Sequence, residues 1–191
     1  MPAGQAMLAG ISGIDASGKG YVAGRLNSAL ESRGLRTALI NVDGWLNLPH
    51  VRFNSEDPGR HFCHHELRLD EMFERLILPL KETRSISLEA DLAEETASEF
   101  HRFEYNLDGI DVILLEGIFL FKPQYAGHFD LRIWIECSFE TALTRAVERS
   151  QEGLGRDETI RAYETIYFPA QRLHIDLDQP RSAAHLIVLN D

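Results

Sequence analysis

A chain of 191 residues has the length of one domain and can bury a core without disulfides or structural metals as staples. Its 30 acidic residues against 19 basic ones give a formal charge of -11, which excludes a broad basic footprint for nucleic acid or an anionic membrane, so any anion site must be local. Two cysteines, Cys63 and Cys137, are too few and too far apart for a disulfide framework; they suit a reducing compartment, with the cytoplasm as the expected location.

The first ten residues carry no basic region ahead of an apolar stretch, and the run Val112 to Phe121 is interrupted by Glu116 and Gly117, so neither an export signal nor a membrane span is expected. Ala6 to Ile11 is apolar, Gly13, Gly18 and Gly20 follow, and Val22, Leu26 and Leu30 then recur at helical spacing. That reads as strand, glycine loop, helix. Gly34 stops the helix, and Thr37 to Val42 forms a second strand that ends on Asp43 and Gly44, completing a βαβ unit.

Leu46 to His65 is polar and rich in histidine, and is read as a long loop placed to line a substrate. Leu69, Met72, Phe73, Leu76, Ile77 and Leu80 predict a helix with Pro79 near its end. Ser85 to Leu92 alternates weakly like a strand, while Ala97 to Tyr105 fits strand or helix; together they suggest a hairpin-like excursion. Val112 to Leu115 is continuously apolar, as in a strand buried on both faces of a parallel sheet, and Leu131 to Ile135 looks like another. Thr141 to Arg149 reads as a helix, Ser150 to Arg156 as a polar loop, Glu158 to His174 as mostly helical, and His185 to Leu189 as the last strand. The fold class expected is α/β, a three-layer P-loop NTPase sandwich around a mainly parallel five-stranded sheet, with a lid segment, the whole of 1–191 forming one domain.

Gly13 to Lys19 satisfies G-x-x-x-x-G-K, in which backbone N–H groups wrap phosphate oxygens, a helix N-terminus faces the anion and Lys19 supplies a mobile charge. Gly13, Ile14, Asp15, Ala16, Ser17, Gly18, Lys19, Gly20 and Tyr21 are therefore the expected nucleotide-binding residues. Gly20 stands where a Ser or Thr usually ligates Mg²⁺, which shifts metal binding toward phosphate oxygens, water and an acid from elsewhere. Adenylate-kinase-like enzymes also carry Gly after the lysine. A rival match exists in Gly18 to Ala23, which reads G-x-G-x-x-A with Asp43 at the end of the next strand, as in a dinucleotide-binding domain. In that fold the first glycine follows the strand directly, which Gly18 does not.

Asp43 ends the second strand on the edge of the sheet that carries the glycine loop, where it can accept a proton from an attacking hydroxyl; the alternative is a turn aspartate before Gly44. Glu116 follows the central apolar strand and is the candidate metal ligand, with a plain strand-end carboxylate as the alternative. Arg145, Arg149, Arg156 and Arg161 flank the polar loop and are placed to neutralise a transferring phosphoryl group or to be ordinary surface; Arg145 and Arg149 are the two taken as catalytic beside Lys19 and Asp43. His61 to His65 invites a zinc reading, but adjacent ligands crowd one another and no second Cys/His pair has the right spacing.

On these residues the chain resembles the uridine kinase family with its phosphoribulokinase and pantothenate kinase relatives, from Gly10–Lys19 to Ala184–Val188. The most specific stretch is Val112 to Phe121 followed by Phe129 to Ile135. The resemblance implies that Glu116 matches a glutamate that helps hold Mg²⁺ and that Asp43 matches the catalytic aspartate. Arg149 is followed by Ser150 where that family's lid has an Arg-Asp pair, and its nucleoside-contacting Tyr and His have no clean match. Tyr163, Tyr167, Pro169 and His174 fall near the family's acceptor residues without being carried over as catalytic. The function expected is transfer of the γ-phosphate of ATP, with Mg²⁺, to a hydroxyl of a small molecule, uridine or cytidine being the first acceptors to try. The alternatives are a non-catalytic or weakly hydrolytic nucleotide-binding regulator and, further off, an NAD-dependent oxidoreductase. Partners are thus a nucleotide and a small-molecule acceptor, with an oligomer left open.

Overall fold

The computed structural model describes residues 4–149 and 153–191. The start of the expected lid loop, Ser150 included, lies outside them. Five strands form the main sheet: β1 (Met7–Gly13), β2 (Thr37–Asn41), β5 (Val112–Glu116), β6 (Leu131–Glu136) and β7 (Leu186–Leu189). They lie in the order β2-β5-β1-β6-β7, and every pairing is parallel. β5 sits between β1 and β2, whereas a dinucleotide-binding sheet sets its first two strands side by side. The rival reading of Gly18 to Ala23 is therefore wrong, because β5 separates the two strands that it sets side by side.

Side chains alternate across this sheet as a two-sided strand requires. Ala9 and Ile11 of β1, Val112 and Leu114 of β5 and Ile133 and Ile135 of β6 face α1 (Lys19–Glu31), which contributes Ala23, Val22, Leu26 and Leu30. Leu8, Ile113, Leu115 and Trp134 face the larger core on the opposite side. All five residues of β5 are buried, as its continuous apolar sequence predicts. Helices on both faces make the three-layer α/β sandwich.

The stretch read as a loop, 46–65, holds two helices instead, α2 (Pro49–Arg52) and α3 (Pro58–His65). Proline occupies the first turn of each, where its missing N–H costs nothing, and Asp57 caps α3 by accepting from Arg60 N–H at 3.2 Å. Its histidines close locally: His61 stacks on His65 at 4.1 Å, and its Nε2 meets Val51 O at 2.7 Å.

Two prolines that fall inside helical runs each follow a widened turn. α4 (Leu69–Met72) passes through a π-helical turn (Phe73–Ile77) into α5 (Leu78–Thr83), which carries Pro79. Later, α8 (Arg156–Ala162) passes through a second such turn (Tyr163–Tyr167) into α9 (Phe168–Asp178), which carries Pro169. A proline ring would clash with the carbonyl four residues back and donates nothing to it, and the wider turn absorbs the shift without breaking the helix. Between the two runs lie α6 (Pro123–Ala126) and α7 (Phe139–Arg149), and α10 (Pro180–Ala183) precedes β7. Among the described helices none is long and apolar enough to cross a membrane.

The excursion is an antiparallel hairpin of β3 (Ile86–Leu92) and β4 (His101–Leu107), which settles Ala97 to Tyr105 mainly as strand. It grips the turn after β2, through Ala93 N–H, at the hairpin's loop end, to Gly44 O at 3.1 Å and through Tyr105 Oη, which accepts from Trp45 Nε1–H at 3.2 Å. From beneath, Gly117 holds the same turn: a Cβ there would lie 2.1 Å from Val42 Cγ2 and 2.8 Å from Cγ1. Val42 is fully buried and β-branched, so it cannot rotate away. Gly117→Ala is expected to destabilise the protein by about 1–3 kcal/mol in urea unfolding, with the added Val42→Ala recovering part of the loss. An unchanged midpoint in the single variant would show that the turn yields.

Candidate active site

β1 delivers the chain to Gly13, and six residues later, at Lys19, α1 begins. Two of the residues between them, Ala16 (φ 54) and Gly18 (φ 89), take the left-handed conformation that bends the loop. Gly18 admits no side chain in any case, since its Cβ would stand 2.4 Å from Asn190 Nδ2, which donates to Ser17 O at 2.7 Å. Gly18 caps α1 with no side-chain hydrogen bond, and Val22 N–H takes Gly18 O. The N–H groups ahead of Val22 thus have no acceptor within the helix, and the positive end of its dipole faces the loop. Lys19, buried at 9% exposure, reaches back to donate to Ile14 O at 3.3 Å. This is a phosphate cradle built from backbone and one ammonium.

Three carboxylates converge on that ammonium. Asp15, inside the loop, accepts from Ala16 N–H at 2.8 Å, from Tyr163 Oη–H and from Arg149 Nη2 at 3.4 Å, and its own N–H donates to Gln171 Oε1 at 3.0 Å. Burial works to raise its pKa, but Lys19, Arg149, Tyr163 and the Ala16 amide together hold it below the ordinary value. Asp43 lies in a 3₁₀ turn (Val42–Gly44) whose start is fixed by Asn41 Oδ1, which accepts Asp43 N–H at 2.7 Å. Its carboxylate presents surface to the cleft yet stands deep between the walls. That enclosure raises its pKa, Lys19 opposing and Asp15 adding to the rise. Glu116 ends β5 opposite Asn41 and receives no hydrogen bond from any described residue; burial above all, against Lys19 and with Asp43 and Asp15, lifts its pKa to about 7.

Two cavities meet at this cluster. One is lined by Ala16, Gly18, Gly20, Tyr21, Asn41, Glu116 and Arg145, the other by Phe62, Glu66, Glu95, Ile118, Tyr167 and Gln171; Asp15, Lys19, Asp43 and Arg149 line both. Asp15, Lys19, Asp43, Glu116, Arg145 and Arg149 thus all border the first cavity. Arg145 lies on its far side, donating to Asn190 O at 2.8 Å, while Arg149 stands at the junction, where it also donates to Tyr163 Oη at 3.1 Å. Arg156 and Arg161 are exposed and line neither. His174 is packed against Phe119 and bonded to Asp178 at 2.7 Å. Sequence reasoning missed the second cavity's Glu66, Glu95 and Gln171. Its one available signal was the unusual polarity of 46–65.

The residues present fit a divalent cation of the Mg²⁺ type. A Cβ at Gly20 would lie 3.6 Å from Glu116 Oε1, so the carboxylate faces open space at the phosphate cradle with its lone pairs unused. A Mg²⁺-type cation keeps waters and binds substrate phosphates through as few as one carboxylate, so a single such ligand is enough. In the metal-free protein, Glu116 makes a signed prediction. Between about pH 4.5 and 7 the unfolded chain releases this proton while the native state keeps it, so stability falls with rising pH, by up to about 3 kcal/mol, and is level above 7. With EDTA present, urea unfolding of Glu116→Gln should gain on the wild type from pH 5 to 8; a difference independent of pH would remove the shift.

No protein-family model matches the chain. Solved structures do. A possible uridine kinase from Bacillus stearothermophilus is 16% identical with a TM-score of 0.75, covering 98% of this chain and 90% of that one. A candidate fructose transport system kinase from Silicibacter sp. TM1040 is 18% identical with a TM-score of 0.75, covering 98% and 91%. The phosphoribulokinase from Rhodobacter spheroides is 15% identical with a TM-score of 0.67, covering 98% and 71%. The chain has the fold of these P-loop kinases, as its resemblance to the uridine kinase group implies.

Proposed function

We propose that this chain, built on the P-loop kinase fold, is a small-molecule kinase that moves the γ-phosphate of ATP to a hydroxyl of an acceptor. The observation that carries the reading is that two cavities share a single wall of Asp15, Lys19, Asp43 and Arg149. A phosphoryl group passing from one to the other crosses a point where a base and two cations are already in place. The nucleotide phosphates lie in the glycine loop, against the amides ahead of Val22 and Lys19 Nζ. Glu116 is the residue that holds Mg²⁺, which when bound neutralises charge on the phosphates.

Asp43 orients the acceptor hydroxyl and takes its proton. The hydroxyl oxygen bonds to the γ-phosphorus as the bond to the bridging oxygen of ADP breaks, and the proton then passes from Asp43 to solvent. A base with a raised pKa is a better match to this transfer than an ordinary aspartate. Arg149 neutralises charge on the group in flight, while Tyr163 and Asp15 hold its guanidinium at the junction. Uridine and cytidine remain the first acceptors to try. A cytoplasmic setting is supported by two thiols, Cys63 and Cys137, that are both free.

Asp43→Asn is expected to bind ATP with unchanged affinity and to lose about 10²- to 10⁴-fold in transfer, followed as acceptor-dependent ADP release. Full turnover in this variant would remove Asp43 from the mechanism. Lys19→Ala should instead weaken ATP binding itself, seen by equilibrium titration; unaltered affinity would count against the glycine loop as the nucleotide site.

A further inference from the structure

The chain leaves β7 and turns onto the back of the glycine loop. Asn190, the first residue past that strand, is tied down by its N–H to Glu136 O at 2.9 Å, by its carbonyl, which accepts from Arg145 Nη1 at 2.8 Å, and by its Nδ2, which donates to Ser17 O at 2.7 Å. Next to it, Asp191 Oδ1 accepts from Ser138 N–H at 2.7 Å. The Asn190 amide fills the place of a Gly18 side chain, 2.4 Å from where that Cβ would be, yet Asn190 lines neither cavity, whereas Gly18 lines the first. At Gly18 the loop therefore has the cleft on one side and Asn190 on the other.

Several amides of this loop are already spent inside the protein. Asp15 N–H goes to Gln171 Oε1 at 3.0 Å, Ala16 N–H to Asp15 Oδ1 at 2.8 Å and Ser17 N–H to Ile14 O at 3.2 Å. From Asp15 onward, Gly18 N–H is the first with no acceptor among the described residues. It belongs to the same peptide as the Ser17 carbonyl, and in a trans peptide the C=O and the N–H point in opposite directions. Asn190 draws the carbonyl to the back of the loop, so the N–H is presented to the front. Gly18 sits at φ 89 and, lacking a Cβ, is as free to adopt about -90°, so this peptide could turn over at little backbone cost. Turned over, it would set a carbonyl oxygen against the phosphates.

Resting on the reading of the glycine loop as the nucleotide site, we infer that Asn190 is a positioning residue for ATP, latching the Ser17–Gly18 peptide with its N–H toward the phosphates. Arg145 acts through the same latch. Its Nη1, on Asn190 O and 3.5 Å from Cys137 Sγ, fixes the backbone that carries the amide. The chemistry is directional. An asparagine Nδ2 only donates and so selects the carbonyl, whereas an ionised carboxylate in its place only accepts and would select the turned peptide by taking Gly18 N–H.

The test titrates the full chain with ATP and Mg²⁺ at equilibrium, as wild type, Asn190→Ala, Asn190→Asp and Leu189→Asp, each first checked by thermal unfolding. Leu189, 79% exposed on the edge strand, takes the same added charge one residue away from the latch. Asn190→Ala leaves both orientations open, so the dissociation constant should rise by about 3- to 10-fold, the reciprocal of the fraction still correctly turned. Asn190→Asp should raise it by about 30-fold or more, although its melting temperature without nucleotide is no lower than that of the alanine variant. Leu189→Asp should stay within about twofold of wild type, its charge being screened by solvent. In ¹⁵N-labelled protein the Gly18 amide proton should move downfield when ATP binds the wild type and stay in place in Asn190→Asp. Unchanged affinity in Asn190→Ala overturns the inference. So do equal losses in the alanine and aspartate variants, which would reduce Asn190 to packing, or an aspartate loss matched by Leu189→Asp, which would reduce it to charge. The nucleotide reading fails separately, if the wild type itself binds no ATP.

Discussion

A buried ammonium is the constraint around which this protein is arranged. Lys19 begins α1 at the positive end of that helix's dipole, nearly out of solvent, and its head finds only one backbone carbonyl within the loop. Such a charge persists only where opposite charge is close, and the sheet supplies it from three separate places. Parallel pairing sets β1, β5 and β2 side by side in register, with Glu116 opposite both Ile11 and Asn41. Asp15 then lies just past the end of β1, Glu116 at the end of β5 and Asp43 two residues past β2. Three acids around one lysine leave the cluster with surplus negative charge in a poorly solvated cleft. Burial above all raises the pKa values of Asp43 and Glu116, Lys19 opposing and the neighbouring carboxylates adding to the rise.

The second cavity depends on helices meeting at close range. α3 approaches α9 so tightly that a Cβ at Gly59 would lie 2.6 Å from Pro169 Cβ, and Phe62 packs on Tyr167 with ring centroids 5.0 Å apart. The same helical run carries Tyr163 to the Asp15 carboxylate and Gln171 to the Asp15 amide. The widened turn at Tyr163–Tyr167 is what lets one helix serve both partners despite Pro169, because it changes the register between the residues before and after it. The glycine loop and the wall of the second cavity are therefore one mechanical unit, joined through Asp15.

What could be read from the sequence divides along the same line. The glycine loop, Asp43 and Glu116 each sit at the end of an apolar strand, so a local pattern places them, and the parallel sheet brings strand ends together as a matter of topology. The order of the strands follows less directly, yet β5 announces itself as an inner strand because its first four positions are all apolar. Gln171 meets Asp15 across 156 residues, and Arg52 meets Glu95 across 43, and no local periodicity encodes such pairs. Glu66 was hidden for a further reason. It directly follows a segment, 46–65, whose polar residues and prolines look like loop, although Pro49 and Pro58 mark the starts of helices.

Gly20 links the two halves of the cluster. In the sequence it reads as a loss, the hydroxyl that would have ligated a cation. In the structure its absent side chain would have come within 3.6 Å of Glu116 Oε1, near enough for a serine hydroxyl there to donate to the carboxylate. A carboxylate so occupied has one lone pair fewer for a cation and a lower pKa than the bare one. With glycine, Glu116 keeps both oxygens unbonded, at the cost of a proton affinity near neutrality that a divalent cation would displace. On the kinase reading proposed above, the departure from the usual loop moves the cation-binding capacity from α1 to the end of β5, next to the strand that Asp43 follows.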